Sequence, residues 1–434
     1  ERESGQVKRR RRMAVHRGRG RGGVASTSLP CCAHSLSPHA RGRRQRQRQQ
    51  PRCYRLVARA QSSLPLVKFE RSDILVNKQV GSLSLQVSND FESVKQEFVG
   101  AAGATVRIYT GEITAGEHKD SEVILKEYPY IQGESFSELA KNEIRAHEKV
   151  QRSEGCANIC LLLGTYEGRI GEQWLVFDSS SIYPVSYWAE LASKKGLNKQ
   201  NWSLLNLLDP EIDFHRRQAF IFSIIKGAIK GMAGLHKLDI LHTNISPDSV
   251  VLSTVDEKQG SSLQVKLREL SFSVSVTEAS LRGGGTLAEL WEADKGQDQS
   301  IDIREEHEKD LWRRATKNGC TNYFQKKNFG IADDIYQMGL LVLFVLFKSA
   351  SNPETSLDML TLKRYVEITF SGNIKEEFRD FMKADQEFAA TIEWLDEHDG
   401  WGLIEAMLHQ DWKQRPTADS CLMHPFLKQT LKYK

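Results

Sequence analysis

The sequence predicts an α+β fold, a small β-rich part followed by a larger helical one. Residues 91–130 alternate apolar and polar, with glycines at the turns, which is the period of strands. Phe214 to Leu241 carries Leu, Ile, Phe, Ala and Met at helical spacing, and Leu340 to Phe347 is an unbroken apolar run. Between them a polar turn, His242-Thr243-Asn244-Ile245-Ser246-Pro247-Asp248-Ser249, runs into Val250-Val251-Leu252. That reads as helix, loop, strand.

The chain begins with a segment of different chemistry. Residues 1–69 carry 18 Lys/Arg and 2 Asp/Glu, a net charge of +16. The whole chain is +4, so residues 70–434 stand at −12, which argues against nucleic-acid binding by the folded part. From Met13 to Phe69 there is no acidic residue, and arginines alternate with Ser and Ala. Arg-rich, hydroxyl-bearing and acid-free is the composition of an organelle transit peptide. Val57-Ala58-Arg59-Ala60 resembles a stromal processing site, so the expected compartment is the chloroplast, with the mitochondrion as alternative. A rival reading is a nucleic-acid arm, because Arg17 to Gly23 resembles an RGG tract. The residues before Met13 read as a leader, or as sequence upstream of the true start. The segment is too polar to build a core and is expected to be disordered.

No uninterrupted apolar run approaches the roughly 20 residues of a membrane span. The longest, Leu340 to Phe347, has eight residues. No transmembrane segment is expected, and peripheral membrane attachment stays open. Of seven cysteines, Cys31, Cys32 and Cys53 lie in the basic segment. Cys156, Cys160, Cys320 and Cys421 are too few and too scattered for a disulfide scaffold. Cys156 and Cys160 are close enough for a redox pair, although buried thiols are the commoner outcome.

Taken in order, the β-rich part offers Phe98-Val99-Gly100-Ala101-Ala102-Gly103-Ala104-Thr105-Val106, a glycine-bearing turn. Then come Val123-Ile124-Leu125-Lys126 and a helical stretch from Phe136 to Val150 with Glu143, 17 residues after Lys126. Ile159 to Tyr166 and Trp174 to Asp178 read as two further strands. After the polar turn come Val265-Lys266-Leu267-Arg268-Glu269-Leu270-Ser271 and a charged, Gly-rich stretch at 276–320, too long for a simple loop. Asp334-Ile335-Tyr336-Gln337-Met338-Gly339 opens an apolar helix running through Phe347. Arg415-Pro416-Thr417 and His424-Pro425-Phe426-Leu427 close the series.

This order resembles the protein kinase superfamily, in its Ser/Thr kinase-like form, over about residues 91–430. The resemblance implies a bilobal fold, with a β-rich small lobe at 91–180 and a helical large lobe at 181–430. Residues 1–69 are then transit peptide and leader, 70–90 a linker, and about 276–320 an insertion in the activation segment. It also implies roles. Lys126 contacts nucleotide phosphates and pairs with Glu143, while Val106, Ile124 and Val251 line the purine site. A hinge at about Phe177 to Ser179 offers backbone groups to a purine. His242, Asp334 and Arg415 are structural, and the Asp334 carboxylate braces the polar turn.

The chemical positions depart from the pattern. Asn244 stands where the catalytic base should be, and an amide accepts no proton from a substrate hydroxyl. Ser246 replaces the loop lysine, and Thr243 the arginine that pairs with an activating phosphate. Ser249 and Glu269 hold the two metal positions as a weaker ligand and a longer carboxylate. Ile124 stands where the family keeps Ala against the adenine ring, so ATP with Mg²⁺ is a doubtful cofactor. Expected is a catalytically impaired pseudokinase acting as a scaffold or regulator for protein partners in the plastid. The alternative is an atypical active ATP-dependent Ser/Thr kinase. Some plant plastid proteins resemble this arrangement and continue into a lipid-binding fibrillin-type domain, which implies a larger natural context.

Overall fold

Among the described residues six strands assemble into one sheet, in the order Val67–Lys68, Leu162–Glu167, Gln173–Asp178, Ser121–Tyr128, Thr105–Ile113, Ile74–Ser84. The computed structural model describes residues 66–84, 86–88, 97–99, 105–130, 136–153, 157–195, 210–282, 303–355 and 357–429. The basic segment before Leu66, the glycine-bearing turn at 100–104, Cys156 and residues 283–302 lie outside these. Among the described residues the fold is mixed α+β.

The strands are β1 (Val67–Lys68), β2 (Ile74–Ser84), β3 (Gln86–Ser88), β4 (Glu97–Val99), β5 (Thr105–Ile113) and β6 (Ser121–Tyr128), then β7 (Leu162–Glu167) and β8 (Gln173–Asp178). The expected linker at 70–90 is therefore corrected. Its Ile74 to Ser84 is an edge strand pairing antiparallel with β5, from Ile74↔Ile113 to Ser84↔Thr105. β1 joins parallel to β7, and Phe69 enters the core.

Alternation along β6 sorts its side chains by face. Val123 and Leu125 enter one apolar cluster with Phe69, Ile113, Trp174 and Val176. Tyr128 enters the other, with Phe136, Leu139, Leu162 and Leu175. The second cluster is closed by helix α1 (Phe136–Arg152), whose buried residues recur every three or four positions.

The C-terminal part is helical. Helix α2 (Val185–Lys195) follows the short β9 (Tyr183–Pro184), and α3 (Pro210–Lys237) leads to β10 (Ile240–Leu241). β11 (Val250–Leu252) pairs antiparallel with β12 (Val265–Leu267) on one side and β9 on the other. β13 (Val274–Ser275) pairs with β10. Among the described residues of the expected insertion are helices α4 (Glu278–Arg282) and α5 (Ile303–Lys317).

Helix α6 runs from Tyr323 to Lys348, so the expected start at Asp334 is corrected. The start is set by Asn322, whose side chain accepts from the Gln325 N–H and caps the first turn. Asp334 sits mid-helix and points into the protein. Gly339 is needed because a Cβ there would lie 2.8 Å from Leu408 Cδ2. Phe214–Lys237 and Tyr323–Lys348 are long and apolar enough by composition to cross a membrane, but 72% and 83% of their apolar windows are buried in this fold. Both are core helices. The C-terminal segment is tied back by Arg415, which donates to His409 O at 2.8 Å and Ala332 O at 3.1 Å and lies over the Tyr336 ring.

Candidate functional site: a cleft between the sheet and the helical part

A cavity of about 280 Å³ opens beneath β2, β5 and β6. Val80, Ile108 and Ile124 line it from the sheet, and Ile182, Pro184, Asp248 and Arg268 from the segments below. Ile108 holds the position expected of Val106. Val106 is fully buried with Tyr128 and Phe136, because it lies one strand step further from the cleft. Val251 is likewise core, not wall.

The charged end of the cleft is a network. Lys126 Nζ lies 2.7 Å from Glu143 Oε2 and 2.6 Å from Glu269 Oε2. Its side chain is only 5% exposed. Glu143 also accepts from the Tyr128 hydroxyl and, at 3.3 Å, from Leu270 N–H. Arg268 Nε lies 3.4 Å from Glu269 Oε1 and donates to Asp248 O at 2.8 Å. Two cations and two carboxylates thus neutralise one another in a buried site. Burial opposes the Lys126 ammonium, but Glu143 and Glu269 outweigh it and hold its pKa well above the lysine value. Burial, and then Lys126, push His147 down to about 3, so that its ring is neutral. Burial drives the Cys160 thiol up to about 12, which leaves no thiolate for redox chemistry.

Beside this network the polar turn is held from behind. The Asp334 carboxylate, 0% exposed, accepts from His242 N–H at 2.8 Å and Thr243 N–H at 2.7 Å. His236 Nε2 completes the set at 2.9 Å. His242 is buried, with Nε2 donating to Arg268 O at 2.9 Å and Nδ1 facing Asn244 N–H at 3.4 Å. That pairing requires the neutral Nε2–H tautomer, in line with the downward push of burial on its pKa. Thr243 has φ 63°, and its hydroxyl donates to Phe272 O at 2.8 Å while accepting from His307 Nε2 at 3.1 Å. It anchors α5 where the resemblance puts a phosphate partner. Asn244 is exposed.

The two positions that the resemblance gives to metal are both engaged within the protein. Ser249 is fully buried, and its hydroxyl donates to Ser246 O at 2.8 Å and accepts from Ser246 N–H at 2.9 Å. Glu269 is occupied by Lys126 and Arg268. Among the described residues no group of three or more His, Cys, Asp and Glu is placed to hold a metal ion. Within the expected hinge, Phe177 to Ser179, the Asp178 N–H is engaged inside the protein. Asp178 N–H donates to Leu161 O at 3.0 Å, Ser180 N–H to Asp178 Oδ2 at 3.3 Å, and Ile182 N–H to Leu252 O at 3.1 Å. Lys266 Nζ clamps the segment, 3.0 Å from Asp178 Oδ2 and 2.6 Å from Ser180 Oγ.

Sequence reasoning missed Tyr128, Asn142, Lys266 and Ser181, and took Asp178 only for its backbone. Asn142 Nδ2 bonds Ser271 O and Ser273 O, both at 2.8 Å, joining α1 to the segment after Glu269. A lysine between Val265 and Leu267 in a buried strand was the available signal for a buried ion pair. No family model matches this chain, and no curated protein matches it.

Proposed function

We propose that this chain is a bilobal protein-kinase-like domain that has lost phosphotransfer and serves in the plastid as a scaffold or regulator for protein partners. The motif order and the Asp334 brace support the frame. One observation carries the loss of chemistry, the polar turn, where Asn244 and Ser246 stand at the base and lysine positions. Phosphoryl transfer is mostly positioning and charge neutralisation, so it needs a base and cations at the reacting phosphate. Lys126, paired with Glu143 and Glu269, keeps the arrangement that the resemblance implies for holding phosphates but does not replace the missing groups. Asn244 accepts no proton, and the Ser249 hydroxyl is engaged by Ser246. Members of one catalytic set act together, so one restored group does not restore the rate.

The test is the full chain with labelled ATP, with and without Mg²⁺, beside Lys126→Ala. Expected are no phosphotransfer above background and no saturable ATP binding. Phosphorylation that depends on Lys126 overturns the proposal. One observation favours the second reading, an atypical active kinase. Asp248 is an exposed carboxylate lining the cleft, although its Oδ1 accepts from the Ser186 hydroxyl. In that event Asp248→Asn abolishes the activity.

A further inference from the structure

We infer that residues 66–69 form a latch, a short strand whose seating on the sheet edge sets helix α1 and, through it, the charged end of the cleft. Such a latch makes the chain ahead of Leu66 a regulatory handle. It is independent of the pseudokinase reading, since Leu66, Phe69 and their seat take no part in transfer chemistry.

The seat is specific. β1 pairs with β7 through Val67↔Gly164 and Lys68↔Thr165, and Phe69 N–H donates to Thr165 O at 2.9 Å. Alternation sends Leu66 and Phe69 to opposite faces of the sheet. Phe69 is buried with Ile113, Trp174 and Val176 on one face. Leu66, partly buried, packs against the cluster of Tyr128, Leu139 and Leu162 on the other. The strand thus grips both faces from the edge. Gly164 makes the approach possible. A Cβ there would lie 2.0 Å from Val67 O and 2.7 Å from Phe69 Cε2, so a side chain at 164 and the seated strand exclude each other.

The cluster beneath Leu66 is the one that α1 closes, through Phe136, Leu139 and Ala140, and it runs on to Phe272. The next residues of α1 hold the charged end of the cleft. Glu143 accepts from Lys126 Nζ at 2.7 Å and from Leu270 N–H at 3.3 Å. Asn142 Nδ2 bonds Ser271 O and Ser273 O, both at 2.8 Å. The apolar seat of α1 and its polar grip lie on one rigid helix, so a change in the seat is carried to the grip.

The latch is also weak enough to open. Two residues enter the ladder, and both Val67 and Lys68 are exposed. An edge element with so few buried contacts belongs to the low-stability end of a fold. Seated and unseated are two states of one element, and coupling between distant sites requires such an element. Changes to the chain ahead of Leu66, where Val57 to Ala60 reads as a processing site, thereby reach the cleft without touching it.

Hydrogen exchange on the full chain tests this with Gly164→Ala, Leu66→Ala and the double variant. In Gly164→Ala the amides of α1 and of residues 270–273 are expected to exchange about ten-fold faster or more, while those of α3 and α6 keep their rates. Leu66→Ala removes only the contact on the α1 face and is expected to speed the same amides by less. The double variant is expected to match Gly164→Ala, because Leu66 has nothing left to contribute once the strand is unseated. Unchanged exchange of α1 in Gly164→Ala makes β1 a mere edge extension and overturns the inference. Effects that simply add in the double variant overturn it too. If Gly164→Ala unfolds the protein, so that α3 and α6 exchange as fast as α1, Leu66→Ala decides alone. Faster exchange confined to α1 and residues 270–273 then upholds the latch, and unchanged exchange there overturns it.

Discussion

Asp334 has three donors on one buried carboxylate, the N–H groups of His242 and Thr243 and the ring of His236. Each unmet buried donor costs about 1–3 kcal/mol. Asp334→Ala should therefore lose about 3 kcal/mol in urea denaturation, and an unchanged midpoint would show that the polar turn stands without its brace. Glu143 is a similar case. Glu143→Ala strands Lys126 against Glu269 alone and leaves the Tyr128 hydroxyl and Leu270 N–H without their acceptor. Breaking one side of a buried ion pair costs about 3–5 kcal/mol, whereas replacing both ions by apolar groups is often neutral. The Glu143→Ala single variant is expected to melt well below a Lys126→Met/Glu143→Leu double variant.

Helix α5 lies over the polar turn, and the charged, Gly-rich stretch containing it gave no sign of docking. Its amphipathic stripe is short, with Leu311, Trp312 and Ala315 packing on Leu241, Val274, Val276 and Phe329. Arg314 adds contacts to both carboxylate oxygens of Asp333, and against burial it holds the Asp333 pKa below the usual carboxylate value. Leu311→Ala should cost about 2–5 kcal/mol if this seat is part of the core. A loss under about 1 kcal/mol in the same denaturation experiment would make α5 a peripheral appendage.

Across the whole molecule, buried histidines couple stability to pH. Burial lowers the pKa of His147, His242 and His307, with Lys126 adding to the effect at His147 and Arg314 at His307. An unfolded histidine titrates near 6.5. As pH falls below that value the unfolded chain takes up protons that the folded chain refuses, so stability falls with pH. The His147 share runs from about 6.5 down to its folded value of about 3. Between those two values His147 contributes a slope of about 1.4 kcal/mol per pH unit. Urea midpoints between pH 7 and pH 5 should decline, and His147→Met should flatten the decline by about one proton. An identical slope would mean that His147 is charged in the fold. The basic N-terminal stretch makes a separate prediction at this scale. Residues 13–75 fused to a reporter should enter chloroplasts and be trimmed, while nucleolar accumulation would favour the RNA-binding arm.

Local periodicity determined the succession of strands and helices, because the periods of 2 and 3.6 are properties of neighbouring residues. It put Ile124 and Lys126 on one face of β6 and Glu143 on the buried face of α1. Long-range packing decided the rest. That Lys126 has a second carboxylate depends on a residue 143 positions away. That Asp178 and Ser180 turn inward depends on Lys266, 88 and 86 positions on. Alternation says which face a side chain takes, but not whether that face meets a cleft or a core, and so Val106 and Val251 fell on the wrong side. Edge strand β2 was read as a linker because its apolar residues Leu75, Val76 and Val80 are largely exposed and its pairing partner begins more than twenty residues later. The hydroxyl of Ser181, which lines the cleft without a hydrogen-bond partner, is the furthest from sequence, since a missing partner exists only once every neighbour is in place.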